Sequence, residues 1–323
     1  MPIYKSLASR AALCAALCSL AALPAAALTE GVTDTTSVSF VFASTLETKL
    51  TLTESVSFPL LAGDGPLTEG NNLRLDIAGE LSPVSVNGTF LATLTPVAFL
   101  SLSSGAGVGT GWNVPIADGL RMNAGKTAPD GTYTGERDLE DESFGGAVWY
   151  WKGGGTFQFD FAAIVPGEWN HAVVQTYQGF TYSAFTGASA GESWLWEADE
   201  GENLNGWSYT GNYFAGYRMP VGPDLVGLLV ENRTRLYGTS GGDYWGESVP
   251  IWTWGPILNF GFRRDSRGNA LTSLTLLAQW REMRTFTVNT SEADFYRYRR
   301  LVDGNPYRRA FYRAAVIFSH ALR

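Results

Sequence analysis

The 323-residue sequence predicts an all-β fold: a single antiparallel sheet of about 12 strands, within a range of about 10–14, closed into a barrel that spans a membrane. Three observations lead there. Apolar and polar residues alternate strictly over many segments, as in "GTFQFDFAAIV" at 155–165. The chain holds 37 glycines, 11 tryptophans and 14 tyrosines, and no segment after the N-terminus has a defensible helical period. The links between alternating segments are unequal, with long ones and short ones taking turns, for which a β-sandwich has no reason.

The first 27 residues read as a secretory signal. Lys5 and Arg10 make a basic start, an Ala/Leu-rich run follows from Ala11, and Ala25-Ala26-Ala27 offers a cleavage site. The run is broken by Pro24 and is shorter than the ~20 apolar residues of a membrane-spanning helix. One domain, 28–323, is expected to follow. Cys14 and Cys18 both lie in the signal, so this domain has neither thiol nor disulfide although it enters an oxidising compartment. The formal charge of −8 becomes more negative once Lys5 and Arg10 are removed, which argues against nucleic acid as a partner.

Strands are expected over 48–60, 71–81, 84–103, 143–152, 155–165, 170–184, 191–198, 206–218, 223–238, 250–264, 270–286 and 308–322. Residues 35–44 read either as a further strand or as an ordered N-terminal segment. The clearest strand is 206–218, where Trp207, Tyr209, Tyr213 and Tyr217 oppose Ser208, Thr210, Asn212 and Arg218. In 250–264 Trp252, Trp254, Leu258, Phe260 and Phe262 oppose Thr253, Asn259 and Arg263. In the last strand Tyr312, Ala314, Val316 and Phe318 oppose Arg309, Phe311, Arg313 and Ser319. Ser82-Pro83, Gly153-Gly154, 219–222 and 265–269 are read as short turns on the periplasmic side. The longer links 61–70, 104–142, 239–249 and 287–307 are read as extracellular. On this reading Phe157, Phe159 and Phe161 face lipid, and Thr156, Gln158 and Asp160 line the interior.

A cleavable signal, aromatic-rich strand faces, unequal loops and no cysteine after the signal together resemble a bacterial outer-membrane β-barrel of the porin-like channel kind. The resemblance covers most of the chain and is one of architecture. It implies an outer-membrane location, contact with membrane lipid, and delivery by the barrel-assembly machinery. Such barrels commonly finish on an aromatic residue, whereas this sequence ends Ala321-Leu322-Arg323. Trp149, Trp151, Trp194, Trp196, Trp207, Tyr217, Trp252, Trp254 and Trp280 suit the interfacial girdles of such a barrel.

With the aromatic face outward, the other parity collects pore-lining Arg218, Arg233, Arg235, Arg263, Arg281, Arg309 and Arg313. Asp160 and Glu231, with Glu80 and Glu197, are the fewer inward acids. Strand direction puts Arg233, Arg235, Arg281, Arg309 and Arg313 in the extracellular half, and Arg218 and Arg263 near the periplasmic turns. Such an arc either attracts anionic solutes or is neutralised by inward acids and by "ERDLEDE" at 136–142. The 104–142 link reads either as a constriction folded into the pore or as a solvated surface loop. Glu192, Glu197, Glu200 and Glu202 read as a solvated acidic loop.

No catalytic, metal or cofactor site is expected. Some barrels of this size class are phospholipases with a serine–histidine pair on the outer wall, but His171 and His320 lie in no such arrangement in the sequence. "GAGVGTG" at 105–111 lacks the Gly-Lys-Ser/Thr ending of a phosphate loop. The expected function is passive diffusion of small polar, anionic solutes, by analogy with arginine-lined twelve-stranded channels for acidic oligosaccharides. Two alternatives stand beside it: a closed structural or adhesin-like barrel with ligand-binding loops, and a secreted Trp-rich β-sandwich acting on carbohydrate.

Overall fold

A computed structural model describes residues 31–322 except 198, 200, 239–245, 247, 266–269, 289, 291–295, 297–298 and 305. The signal segment and Glu200 lie outside the described residues. Twelve strands form one closed antiparallel barrel: β1 (Thr33–Ala43), β2 (Thr48–Pro59), β3 (Asn72–Ser82), β4 (Ser85–Val97), β5 (Leu100–Gly111), β8 (Val148–Asp160), β9 (His171–Phe185), β11 (Gly206–Arg218), β12 (Leu225–Leu236), β13 (Ile251–Arg264), β14 (Ala270–Arg284) and β15 (Tyr307–Ala321). The ring closes where β1 pairs with β15, Ser37 opposite Ala321. Three further strands, β6 (Leu120–Thr127), β7 (Tyr133–Asp141) and β10 (Trp194–Trp196), make a separate small sheet in the order β10-β6-β7.

Each barrel strand has at least 11 residues, and about 9–11 tilted residues suffice to cross a bilayer. A closed sheet leaves no edge whose backbone lipid would have to solvate. The outer face is apolar and uncovered by protein: Leu50, Phe90, Leu102, Phe157, Phe180, Leu228 and Phe318 are all exposed. Trp151, Tyr182 and Trp207 touch ring to ring across β8, β9 and β11, with centroids 5.7 and 5.4 Å apart, as part of an aromatic girdle. The single closed sheet removes the two-layer sandwich from consideration.

β1 starts and β15 finishes at one end of the barrel, where the links 60–71, 98–99, 161–170, 219–224 and 265–269 also lie. The other end carries 44–47 and 83–84 together with the long links 112–147, 186–205, 237–250 and 285–306. We call these the terminal end and the loop end. The expected asymmetry is therefore real, but several strands differ from expectation. Residues 33–43 are a full barrel strand, which moves 60–71 to the terminal end and the Pro83-Val84 turn to the loop end. The stretch 84–103 is two strands, β4 and the start of β5, turning at Ala98-Phe99. Its two-residue hairpin carries none of the Gly or Asn that usually marks one. Of the expected strand 191–198, residues 191–197 belong to no barrel strand; Trp194–Trp196 pairs with β6 outside the ring.

Gly153-Gly154 is not a turn but the middle of β8, with Gly154 opposite Gly179 on β9. The reason is non-local. The Tyr177 ring lies over this pair on the inner wall, and a Cβ on Gly154 would sit 2.6 Å from the Gln178 carbonyl and 2.7 Å from the Tyr177 hydroxyl. An aromatic ring covering a strand glycine replaces the missing side-chain contact. Gly154→Val is expected to destabilise the barrel by ~1–3 kcal/mol through overpacking. Gly155→Val points outward, where the nearest contact is an ordinary 3.4 Å, and should cost less. Urea unfolding midpoints of the two variants in lipid vesicles check the contrast.

"GAGVGTG" has the same logic. Gly105, Gly107 and Gly109 of β5 face inward, and their missing side chains make room for Leu91, the Tyr150 ring and the Asn87 amide respectively. This is a lumen-packing stretch.

Candidate functional site

Inward residues of β11, β12 and β13 change character at one level. The row Asn212–Glu231–Thr253 is polar, and the next row towards the terminal end is Phe214–Leu229–Gly255. On the loop side of that boundary lies a cavity of about 310 Å³ lined by Arg233, Arg235, Arg281 and Arg313, with Glu47, Asp199, Glu231 and Tyr312. Guanidinium groups outnumber carboxylates there. Four of the arginines expected inside, and Glu231, thus converge on one chamber.

Their partners form a chain around the wall. Arg313 donates to Gln279 Oε1 (2.8 Å) and to Glu47 Oε2 (2.5 Å), and Gln279 donates to Glu231 Oε2 (2.5 Å). Arg281 donates to Thr253 Oγ1 (3.1 Å) and stacks 3.5 Å from the Tyr312 ring centre. Arg235, only 3% exposed, donates through Nε to the Glu202 carbonyl (2.5 Å). Its Nη1 has no acceptor among the described residues. Arg313 is thus neutralised within the wall, while one donor of Arg235 is left without an acceptor among the described residues.

Arg309 is a correction. The register of β14 and β15 slips between Gln279 and Trp280, so that Gln279 opposes Arg313 and Trp280 opposes Phe311. A bulge of this kind resets the alternation beyond it. Tyr312 and Arg313 both line the chamber, while Phe311 (53% exposed) and Arg309 turn to the outside. Arg309 pairs there with Glu282 (3.3 Å) and lies 5.9 Å from the Trp254 ring centre.

At the terminal end, Asp160 accepts from Ala162 N (3.0 Å), capping the 3-10 turn Phe161–Ala163, and pairs with His171 Nδ1 (2.8 Å). It is a turn-forming acid, remote from the arginine chamber. Arg218 lies opposite His171 in the β9–β11 register. Arg263 sits exposed near the end of β13 with left-handed backbone (φ 47°). His320 bonds Thr272 Oγ1 (2.8 Å).

The link 186–205 fastens across the mouth through Glu197 and Glu202, which corrects the reading of these two acids as solvated, while Glu192 is exposed as expected. Glu197 reaches inward to Lys49 (2.9 Å), Ser85 (2.5 Å) and Asn87 (2.7 Å), and Lys49 also holds Glu80 (3.1 Å). Glu197 adopts left-handed backbone (φ 51°); such a conformation costs a non-glycine residue about 1–2 kcal/mol, which these three bonds offset. Glu202, on the same link, is ion-paired with Arg284 and with Arg299 (3.3 Å), all three largely buried. One carboxylate is thus anchored on the β2–β4 wall and the other beside β12 and β14. Neither anchor showed in the sequence, where closely spaced acids between strands look like solvated loop.

"ERDLEDE" does not reach the arginines. It forms most of β7, whose Glu136 pairs with Lys126 (2.6 Å) on the surface. The small sheet packs on the loop end through Leu120, Val148, Phe185 and Trp194; Trp194 is 2% exposed and is core here, not girdle. Trp196 packs against the same cluster. Hydrogen bonds from the Ser143 hydroxyl and backbone, then from Asn113, lower the Asp141 carboxyl to about 2. A depressed carboxylate adds stability above its unfolded value near ~3.9, and that contribution fades as pH falls through about 2. Limited proteolysis of 112–147 should therefore be unchanged from neutral pH down to about 4 and accelerate below it, with Asp141→Asn already accelerated at neutral pH.

No protein-family model and no curated protein matches the chain. Among solved structures it is similar to the CymD monoaromatic hydrocarbon channel, with 9% identity and a TM-score of 0.33 over 91% of this chain and 88% of that one. It is also similar to CdiB from Acinetobacter baumannii, with 10% identity and a TM-score of 0.34 over 90% of this chain and 60% of that one. Likeness at this level assigns no activity. By its closed twelve-stranded ring, apolar exterior and unequal ends, the chain has the general architecture of an outer-membrane β-barrel.

Proposed function

We propose that the barrel is a passive outer-membrane channel for small anionic solutes. The observation that carries this reading is the lumen chamber on the loop side of the Asn212 row, in which Arg233, Arg235, Arg281 and Arg313 outnumber their acidic neighbours. A low-dielectric wall strengthens the field of such an arc, and it draws anions while opposing cations. Guanidinium forks suit a passing carboxylate or phosphate. No catalytic step, metal or cofactor enters this reading.

Proteoliposome swelling with galacturonate, galactose and glucosamine tests it. The expected order of rates is galacturonate, then galactose, then glucosamine, although the three sugars are similar in size. Equal rates for all three would remove the charge selectivity. The strap formed by Glu197 and Glu202 favours a second reading, a barrel shut at its mouth that serves as a scaffold for its loops. No swelling by any solute from folded protein would favour that one.

A further inference from the structure

The arginine chamber has a neighbour. On the terminal side of the Asn212 row is a second lumen cavity of about 270 Å³, lined by Phe214, Leu225, Leu229 and Ile257 with Gln175 and Tyr177 at its edge. Asn212 lines both cavities. The apolar chamber is built rather than left over. The Phe214 ring lies flat against the wall over Gly216 and Gly227, and a Cβ on either glycine would overlap it. Two glycines thus keep the ring out of the chamber. Asn212 marks the junction in the row of Glu231 and Thr253, with Arg281 opposite Thr253 in that same row and Arg233 one row nearer the loop end. The basic chamber and the apolar one therefore abut at the Asn212 row.

From these placements, and resting on the channel reading above, we infer that the preferred solutes are small carboxylates carrying a compact apolar body. The carboxylate lies in the upper chamber, facing the guanidinium groups of Arg233 and Arg281. The apolar body fills the lower chamber between Phe214, Leu229 and Ile257. Both cavities lie at the small end of the ~300–1,000 Å³ typical of ligand sites, which limits the body to one ring or a short branched chain.

Equilibrium dialysis of the full barrel in lipid nanodiscs, which needs no ion current, tests the inference. The probes are acetate, cyclohexanecarboxylate and cyclohexylmethanol. Cyclohexanecarboxylate is expected to bind about tenfold or more tightly than acetate, since several methylenes leave water. Cyclohexylmethanol should not be retained above empty nanodiscs. Gly227→Val pushes Phe214 into the chamber and Leu229→Gln makes it polar. Either variant, with folding checked by heat-modifiable gel mobility, should reduce cyclohexanecarboxylate to the level of acetate.

Equal binding of acetate and cyclohexanecarboxylate overturns the inference. So does retention of the neutral alcohol as strongly as the acid, or undiminished binding in both folded variants. Failure here beside charge-selective swelling removes this inference alone. Specific binding without swelling removes transport and leaves the ligand assignment standing.

Discussion

Glu202→Gln is expected to free the strap across the mouth, raising the open conductance and exposing 186–205 to protease. Arg284 and Glu202 are almost fully buried against each other, with Arg299 beside them. Removing one partner of a buried pair costs about 3–5 kcal/mol, because the remaining charge has lost its counter-charge away from water. The ring itself does not depend on the pair, since its strands are held by the backbone ladders from β1 to β15. The cost therefore falls on the link and on its neighbours Leu204, Tyr237 and Tyr296, which pack together beneath it. Glu197→Gln should act in the same direction but more weakly, because a glutamine keeps an acceptor for Ser85 and Asn87. Protease-resolved fragments and single-channel recordings read both effects. Unaltered conductance and protection in Glu202→Gln would show that the link is no barrier.

The second large effect is expected from the double replacement Arg233→Gln and Arg281→Gln. Both side chains line the chamber, and neither belongs to the Arg313–Gln279–Glu231 chain that braces the wall. At an effective dielectric near 20, a unit charge ~8 Å away contributes about 2 kcal/mol to a passing ion. If screening removes half of that, the loss of one charge still shifts each permeability about fivefold in opposite directions, and so the anion-to-cation ratio about 25–30-fold. The pair of replacements should therefore abolish the anion preference or reverse it, since Glu47, Asp199 and Glu231 remain. Arg309→Gln is the internal control. It lies outside the barrel against Glu282 and Trp254 and should leave selectivity unchanged.

The alternation in 206–218 and 250–264 was legible because each strand has one wet and one apolar face, and the structure keeps both faces where the period puts them. What the sequence could not show is non-local. The Gly153–Gly155 run looks like a turn until Tyr177 of the neighbouring strand is laid over Gly154. Ala98-Phe99 looks like mid-strand until β4 and β5 are seen to pair around it. The period-2 rule holds in β15 only up to the slip at Gln279/Trp280, which exchanges the sides of Tyr312 and Phe311 and carries Arg309 outside with them. The site shows the same division. Arginines on one parity could be listed from the chain, but their convergence with Glu47, Asp199 and Glu231 depends on loops whose path no local pattern specifies. The two-chamber boundary is intermediate: it is written as Glu231 after Leu229 and as Asn212 before Phe214, yet it has meaning only once register sets those rows side by side.

The most direct test of the whole account is a planar-bilayer recording of the refolded barrel under a potassium chloride gradient. A lumen dominated by the arginine chamber predicts discrete ohmic steps and a reversal potential on the chloride side of zero. That offset should vanish or change sign in the Arg233→Gln, Arg281→Gln protein and persist in Arg309→Gln. A reversal potential on the potassium side, or no conductance from folded protein with the strap released by Glu202→Gln, would contradict it.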